Sequence, residues 1–96
     1  MENKNKGFEA FIKDCCNLTN DGVEQSAYLY KAYINYCYEK IFNKISTYEF
    51  YKELETMGLK RIAHKRIKYF KGIKLTDEAY NLYIELGLFK WAEKRK

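Results

Sequence analysis

The sequence contains no proline, and among its 96 residues it has only one histidine and three cysteines. Because proline is the usual breaker of helix interiors, its absence favours a mostly helical fold. The cysteines, Cys15, Cys16 and Cys37, have no C-x-x-C or Cys/His spacing, which argues against a zinc site. We therefore expect reduced, mostly buried thiols in a cytoplasmic protein that holds no metal or other cofactor.

Long apolar runs are also missing, so no segment approaches the length needed to cross a membrane. The first residues, M-E-N-K-N-K, lack the apolar centre of a signal peptide, and we expect no membrane partner. A chain of 96 residues suits one domain. We predict a disordered start over 1–5, a folded domain over 6–75, and a helical extension over 76–96 that packs on the domain or on a partner.

Positive charge is concentrated in one short segment. Residues 59–75, L-K-R-I-A-H-K-R-I-K-Y-F-K-G-I-K-L, hold seven Lys and Arg and no acidic residue, while the whole chain has a net charge of +5. Residues 1–48, by contrast, balance six Lys against six Asp and Glu. Such asymmetry favours an anionic partner, although a solvated basic surface that aids solubility is the simpler alternative.

The first half of the chain predicts two helices. Apolar residues at helical spacing indicate a helix over about 6–16, and the polar run 17–22 indicates a loop, with a very short strand possible at Val23. Ser26 is the predicted N-cap of a second helix that reaches about residue 40. Tyr33 and Tyr36 on one face of this helix, with Tyr30 on its flank, are expected to pack in the core, where the ring is buried and the hydroxyl finds water or a backbone partner.

The third helix has the strongest local signals. The motif S-T-Y-E at 46–49 is a capping box, with Ser46 as the N-cap and Glu49 reaching back to it. Gly58 supplies the left-handed residue that ends the helix. Helical spacing divides the side chains into an inner face with Phe50, Leu54 and Met57 and an outer face with Tyr48, Lys52 and Glu55.

After Gly58 the pattern changes from helical to alternating, which predicts a β-hairpin with its turn at 64–66. Gly72 inside the second strand suggests a bulge or a close backbone approach. Thr76 is the predicted cap of a further helix that ends near Gly87. Spacing by two predicts that one face of the second strand carries Ile67, Tyr69, Lys71, Ile73 and Leu75.

These elements predict a mainly α fold with a small β-hairpin, in the α+β class. Three helices followed by a basic hairpin have the layout of a winged helix–turn–helix, here with a C-terminal helical extension. Four segments resemble the C-terminal winged-helix domain of phage- and plasmid-type primase–helicases, the replication initiators of satellite phages, pathogenicity islands and related viruses. They are F-I-K-D-C-C (11–16), L-Y-K-A-Y-I-N-Y-C (29–37), S-T-Y-E-F-Y-K-E-L (46–54) and R-I-K-Y-F-K-G-I-K-L (66–75).

The resemblance implies a non-catalytic DNA-binding module attached to a helicase or primase domain in the same or another chain, with a role in origin recognition or helicase loading. The chain departs from the family pattern at Tyr36, where a tryptophan is expected, and after Leu75, where it extends beyond the pattern. It has no phosphate-binding loop and no primase carboxylates. The one histidine, His64, has no nearby carboxylate to orient it as a base, so we do not expect an enzyme.

Double-stranded DNA is therefore the expected partner. The third helix would lie in or across the major groove, with its N-terminus near a phosphate, and the hairpin would contact the backbone or the adjacent minor groove. Phosphate contacts mainly give affinity, whereas base contacts give specificity. Glu55 is interpreted as a solvated acid. The residues expected to contact DNA are Ser46, Thr47, Tyr48, Tyr51 and Lys52 on the helix and Arg61, His64, Lys65, Arg66 and Lys68 on the hairpin.

Two other functions stay open at this level. Exposed Tyr48, Tyr51 or Tyr69 beside lysines would suit the stacking of single-stranded bases. The C-terminal apolar residues suggest a protein-interaction or homo-oligomerisation module instead, because they are more hydrophobic than a free end needs. They either close the domain's own core or contact a partner, and they are Leu88, Phe89 and Trp91.

Overall fold

The computed structural model describes residues 6–89 and shows a small α+β fold of four helices and one three-stranded antiparallel sheet. The strands lie in the order β1-β3-β2. Residues 1–5, predicted to be disordered, and Trp91 lie outside the described residues. The elements are α1 (Lys6–Cys15), β1 (Cys16–Gln25), α2 (Ser26–Lys40), α3 (Thr47–Thr56), β2 (Lys60–His64), β3 (Ile67–Leu75) and α4 (Asp77–Glu85).

Strand β1 is the largest difference from the sequence-based expectation. The predicted loop over 17–22, with only a very short strand at Val23, is wrong because this segment belongs to a ten-residue strand. The strand begins where Cys16 pairs with Leu75, and its register shifts between Leu18 and Val23. The polar turn residues thus occupy an irregularity inside β1, since pairing with β3 overrides their local preference for a turn.

The aromatic core lies between α1, α2 and α3. The ring of Tyr33 stacks on the ring of Phe50 at 4.7 Å between centroids, and Phe8 and Phe11 meet these rings edge-on or tilted. The Tyr33 hydroxyl accepts a hydrogen bond of 2.8 Å from the backbone N–H of Ile45. The core role predicted for the tyrosines of α2 is therefore confirmed for Tyr33, whose buried hydroxyl has a backbone partner.

The two ends of α3 follow the sequence signals closely. Ser46 is the N-cap, and its Oγ accepts a 3.2 Å hydrogen bond from the N–H of Glu49. Phe50 and Leu54 are fully buried, as predicted, but Met57 is 39% exposed, so its assignment to the inner face is wrong. Met57 is the C-cap of α3 and keeps a helical backbone, with its N–H donating to the carbonyl of Glu53, so its exposure reflects its position at the open end of the helix.

At the other helix starts, the prediction for Ser26 is wrong by one residue. Gln25 occupies the N-cap position of α2, without a capping side chain, and Ser26 is the first helical residue. Ser26 is buried, which keeps its hydroxyl within the domain rather than at an open helix end. The predicted cap of α4 is confirmed, because the Thr76 hydroxyl accepts a 3.1 Å hydrogen bond from the N–H of Ala79.

Helices α2, α3 and α4 end in the same backbone arrangement. In each, a left-handed residue is followed by one whose N–H donates to the carbonyl five residues earlier, at 2.9 to 3.3 Å. The left-handed residue is Gly58 in α3 and Gly87 in α4, but it is Ile41 in α2. A β-branched residue in this conformation is strained, and the Ile41 side chain is 91% exposed. The end of α2 therefore carries a cost that the other two ends avoid.

Gly72 changes which side of β3 faces the core. Phe70 is buried before it and Ile73 and Leu75 are buried after it, so the buried positions change from even to odd numbers. Gly72 has a φ of +101°, and a side chain there would meet Leu59, which confirms the predicted irregularity. The predicted single face is wrong for the three residues before Gly72, which lie on the side opposite Phe70: Ile67, Tyr69 and Lys71.

As far as Phe89, the segment after β3 packs on the domain. The N–H of Thr76 donates to the carbonyl of Cys15 at 2.8 Å, which ties the start of α4 to the end of α1. Phe89 is 2% exposed and its ring stacks on that of Tyr28 at 4.3 Å, while Leu88 is half-buried against the core. Of the two roles considered for these apolar residues, closing the domain's own core is the one that Leu88 and Phe89 perform.

Candidate nucleic-acid interface

The outer face of α3 is open to solvent. Thr47 and Lys52 are exposed and Tyr48 is 71% exposed, so three of the predicted contact residues share one accessible surface. The N-terminus of the helix is already occupied in part. The Ser46 Oγ lies 3.5 Å from a carboxylate oxygen of Glu49, which places a negative charge where a phosphate was expected. The anion contacts expected of α3 are therefore left to Lys52 and to the hydroxyls of Thr47 and Tyr48 rather than to the helix end.

Tyr51 is placed differently from Tyr48. Its ring packs against Phe50 at 5.8 Å and against Phe70 at 5.6 Å, and the side chain is half-buried. Burial raises the pKa of the Tyr51 hydroxyl, and the nearby Arg61 guanidinium opposes that rise. Tyr51 thus joins α3 to the sheet, and its ring is not free to stack on a nucleic-acid base.

Arg61 connects the hairpin to α3. Its guanidinium lies 5.2 Å from the centre of the Tyr51 ring and 5.5 Å from that of Phe70, and it donates a 3.0 Å hydrogen bond to Glu55. Both charged side chains are about half exposed, so solvent weakens the ion pair. Arg61 therefore contributes more to the orientation of the hairpin than to free positive charge, and Glu55 is a paired rather than a merely solvated acid.

The tip of the hairpin is a two-residue turn. His64 pairs with Ile67, and between them Lys65 and Arg66 have φ of +51° and +69°. Two successive left-handed residues define a type I′ turn, for which Asn-Gly is the preferred sequence. The backbone conformation therefore does not call for a lysine and an arginine at this point. Both side chains are exposed, so the turn presents two adjacent cations at the end of the hairpin.

The cations of the hairpin divide between its two sides. Arg61 pairs with Phe70 across the strands and Lys68 pairs with Ala63, so both lie on the side that faces α3. The remaining lysines lie on the opposite side, because Lys60 pairs with Lys71 there and Lys74 alternates with buried neighbours. Sequence reasoning missed Lys60, Lys71 and Lys74 as a group, since the change of face at Gly72 hid their common side.

The cysteines take no part in this surface. Cys15, Cys16 and Cys37 are free and buried. Burial raises the pKa of each of the three thiols, which keeps them protonated. Within residues 6–89, no group of three or more His, Cys, Asp or Glu side chains is placed to hold a metal ion. Over the same residues, no helix is both long enough and apolar enough to cross a membrane.

Comparison of the chain with models of protein families, with curated proteins and with solved structures finds no match. The function is therefore argued from the geometry of the exposed α3 face and the basic hairpin.

Proposed function

We propose that the chain is a winged-helix module that binds double-stranded DNA. The observation that carries this proposal is the direct connection of an exposed helix face to a basic hairpin. α3 ends at Thr56, β2 begins at Lys60, and the hairpin presents Lys65 and Arg66 at its tip. The order α1-β1-α2-α3-β2-β3, with the sheet order β1-β3-β2, is the order expected of a winged helix and supports this topology.

In this proposal the two elements have different tasks. The outer face of α3 enters the major groove, where Tyr48 and Lys52 reach base edges or phosphates. The hairpin lies along the backbone, with Lys65, Arg66 and Lys68 on phosphates. Arg61 is a positioning residue in this proposal, because its guanidinium contacts Glu55 and the Tyr51 ring and so links the hairpin to α3.

The resemblance to primase–helicase C-terminal domains suggests the setting for such binding. A small duplex-binding module of this kind would bring a helicase or primase domain to a replication origin, or would help to load it. Tyr36, where the family pattern has a tryptophan, is buried as a core residue, and its hydroxyl donates to the Asp14 carboxylate at 2.5 Å. The proposal that the chain is a module of a mobile-element replication protein rests on that resemblance.

The turn conformation allows a test in which the charge of the hairpin tip is removed without lowering the stability of the fold. A Lys65→Asn/Arg66→Gly variant removes both cations and gives the turn its preferred sequence, so the free energy of unfolding should be unchanged or higher. Fluorescence anisotropy with a labelled random-sequence duplex, titrated at several salt concentrations, should then show weaker binding. The slope of log affinity against log salt should fall by about 1.8, since each lost phosphate contact removes about 0.9.

The matched control is Lys13→Gln/Lys31→Gln, which also removes two exposed lysines, one on α1 and one on α2, without weakening either helix. This control lowers the net charge by the same amount but leaves the hairpin intact, so its salt slope should stay close to that of the unchanged chain. If the slope of log affinity against log salt is equal in the two variants, net charge alone explains its decrease. That outcome would overturn the proposed role of the hairpin tip. Absence of duplex binding by the unchanged chain at low salt would overturn the proposed function itself.

A further inference from the structure

The side of the sheet that faces away from α3 has an unusual composition. We name it the outer sheet face and define it by Val23, Lys60, Ile62, Ile67, Tyr69, Lys71 and Lys74. Across the strands, Tyr69 lies between Ile62 and Gln25, and Lys71 lies between Lys60 and Val23. The face thus combines one aromatic ring with aliphatic side chains and three lysines.

This surface is open in the folded chain. Val23, Ile62 and Ile67 are 41%, 40% and 42% exposed, and Tyr69 is half-buried. Ile62 is paired with Tyr69, Ile67 lies two residues before it on the same strand, and Val23 is diagonal to it across β1 and β3, whereas isolated exposed apolar residues are ordinary on protein surfaces. The apolar residues are therefore grouped around the Tyr69 ring.

The charge of the outer sheet face selects the class of partner. No Asp or Glu is among its paired residues, because Glu24, the acid of β1 nearest to it, points to the other side. Glu24 is 3% exposed and its carboxylate accepts a 3.1 Å hydrogen bond from the N–H of Leu75. A second copy of the chain on this face would bring lysines against lysines, so an anionic partner fits better.

We propose that the outer sheet face binds single-stranded nucleic acid. An unpaired base has a flat apolar ring that can stack on Tyr69 and cover the neighbouring aliphatic side chains. Its phosphates carry the negative charge that Lys60, Lys71 and Lys74 would meet. The bases of a duplex are stacked inside the double helix and offer no such ring, so this face and α3 would bind different forms of nucleic acid. The proposal does not depend on duplex binding by α3.

The test measures the affinity of each variant for a single strand and for a duplex. Tyr69→Leu keeps an apolar side chain but removes the ring, and it should weaken binding of a labelled oligothymidylate by roughly tenfold. Its affinity for a random-sequence duplex should stay unchanged. The matched control is Tyr38→Leu, which removes a tyrosine ring that is 83% exposed on α2, away from the sheet. This control should leave the oligothymidylate affinity as it is.

A second variant avoids any change in packing. Lys60→Gln/Lys71→Gln leaves the apolar residues in place and should lower the salt slope for oligothymidylate by about 1.4, since each phosphate contact on a single strand contributes about 0.7. The Lys13→Gln/Lys31→Gln control should not lower it. If both variants of the outer sheet face bind oligothymidylate as the unchanged chain does, the proposal is overturned.

Two further outcomes would also overturn it. Loss of oligothymidylate binding only in the Lys65→Asn/Arg66→Gly variant would place the single strand at the hairpin tip. A molecular mass that rises with concentration and returns to that of one chain in an Ile62→Asp variant would show that a second copy occupies this face. Because duplex affinity is followed in parallel, failure of this proposal and failure of duplex binding by α3 give different results.

Discussion

The helical core and the β2–β3 hairpin are stabilised in opposite ways. In the core, the Phe50 ring is fully buried and contacts the rings of Tyr33, Phe8 and Tyr30 at 4.7 to 5.5 Å between centroids. In the hairpin, all five residues of β2 are exposed, and the described strand is held by backbone pairing with β3. The core, to which β3 adds the buried Phe70, Ile73 and Leu75, therefore supplies most of the free energy of folding, while β2 and the turn present charge.

This division explains how so short a chain carries a large local charge. Seven cations in one segment repel one another, and they would destabilise a buried element. On the hairpin they stay in water, and Phe70 and the Arg61 guanidinium join its base to the core. Exposed backbone hydrogen bonds open at a lower free energy than buried ones, so the hairpin should be the more mobile region on the time scale of hydrogen exchange.

The largest expected effect tests the core side of this comparison. Phe50→Ala leaves a cavity among several rings and should lower the free energy of unfolding by about 3–5 kcal/mol. Urea denaturation followed by circular dichroism measures this change. The matched change in the hairpin is Ile62→Ala, which should cost less than about 1 kcal/mol because its side chain is 40% exposed. Similar losses in the two variants would contradict the division between core and hairpin.

An intermediate loss of stability is expected at alkaline pH, and it arises from tyrosines of the core. Burial raises the pKa of Tyr33, Tyr36 and Tyr83 above the ordinary tyrosine value. Below about pH 10, where the unfolded chain also keeps these protons, the stability that they contribute is fully present. Above it the unfolded chain ionises first, so the free energy of unfolding should fall by about 1.4 kcal/mol per pH unit for each group.

Urea titrations at a series of alkaline pH values measure that slope. The buried thiol of Cys16, whose pKa burial also raises, adds to the loss from about pH 8.5, the ordinary thiol value. The comparison variant is Tyr36→Phe/Tyr83→Phe, which removes two of the titrating hydroxyls and should have a shallower slope above about pH 10. A slope that is the same in this variant and in the unchanged chain would assign the alkaline loss to other groups.

The smallest expected change in the free energy of unfolding comes from two helix ends. One is the end of α2, which belongs to the core, and the other is the end of α3, which leads into the hairpin. Ile41→Gly removes the strain of a β-branched left-handed residue and should raise the free energy of unfolding by about 0.5–1 kcal/mol, after allowance for the flexibility of glycine in the unfolded chain. Gly58→Ala should lower it by a similar amount, because the φ of +91° disfavours a side chain even though the space there is open. Shifts of the same sign would show that the two helix ends are not equivalent.

Local chemistry made some of this fold predictable from the sequence. The caps of α3 and α4 rest on Ser46 and Thr76, which act on amides three residues away, so the sequence alone contains the interaction. Strand β1 was not predictable in the same way. Its polar residues prefer turns, and they become a strand only because β3, about fifty residues later, pairs with them.

The candidate site shows the same limit. The exposure of Tyr48 and Lys52 follows from helical spacing and was predicted. The pairing of Arg61 with Glu55 was not, because it depends on how the hairpin folds back on α3. The face shared by Lys71 and Lys74 was also missed, since a glycine can adopt either sign of φ and the sequence does not say that the strand turns over at Gly72.

The exposed outer part of the hairpin also makes its length adjustable. His64, Ile67 and the turn between them are exposed, so extra paired residues before and after the turn would leave the packing of the core intact. Two added residues on each strand would keep every side chain on its present side and would move the turn outward by about 7 Å. One added residue on each strand would instead reverse the sides at the tip. The length of the hairpin can thus be changed in two-residue steps without redesigning the rest of the domain.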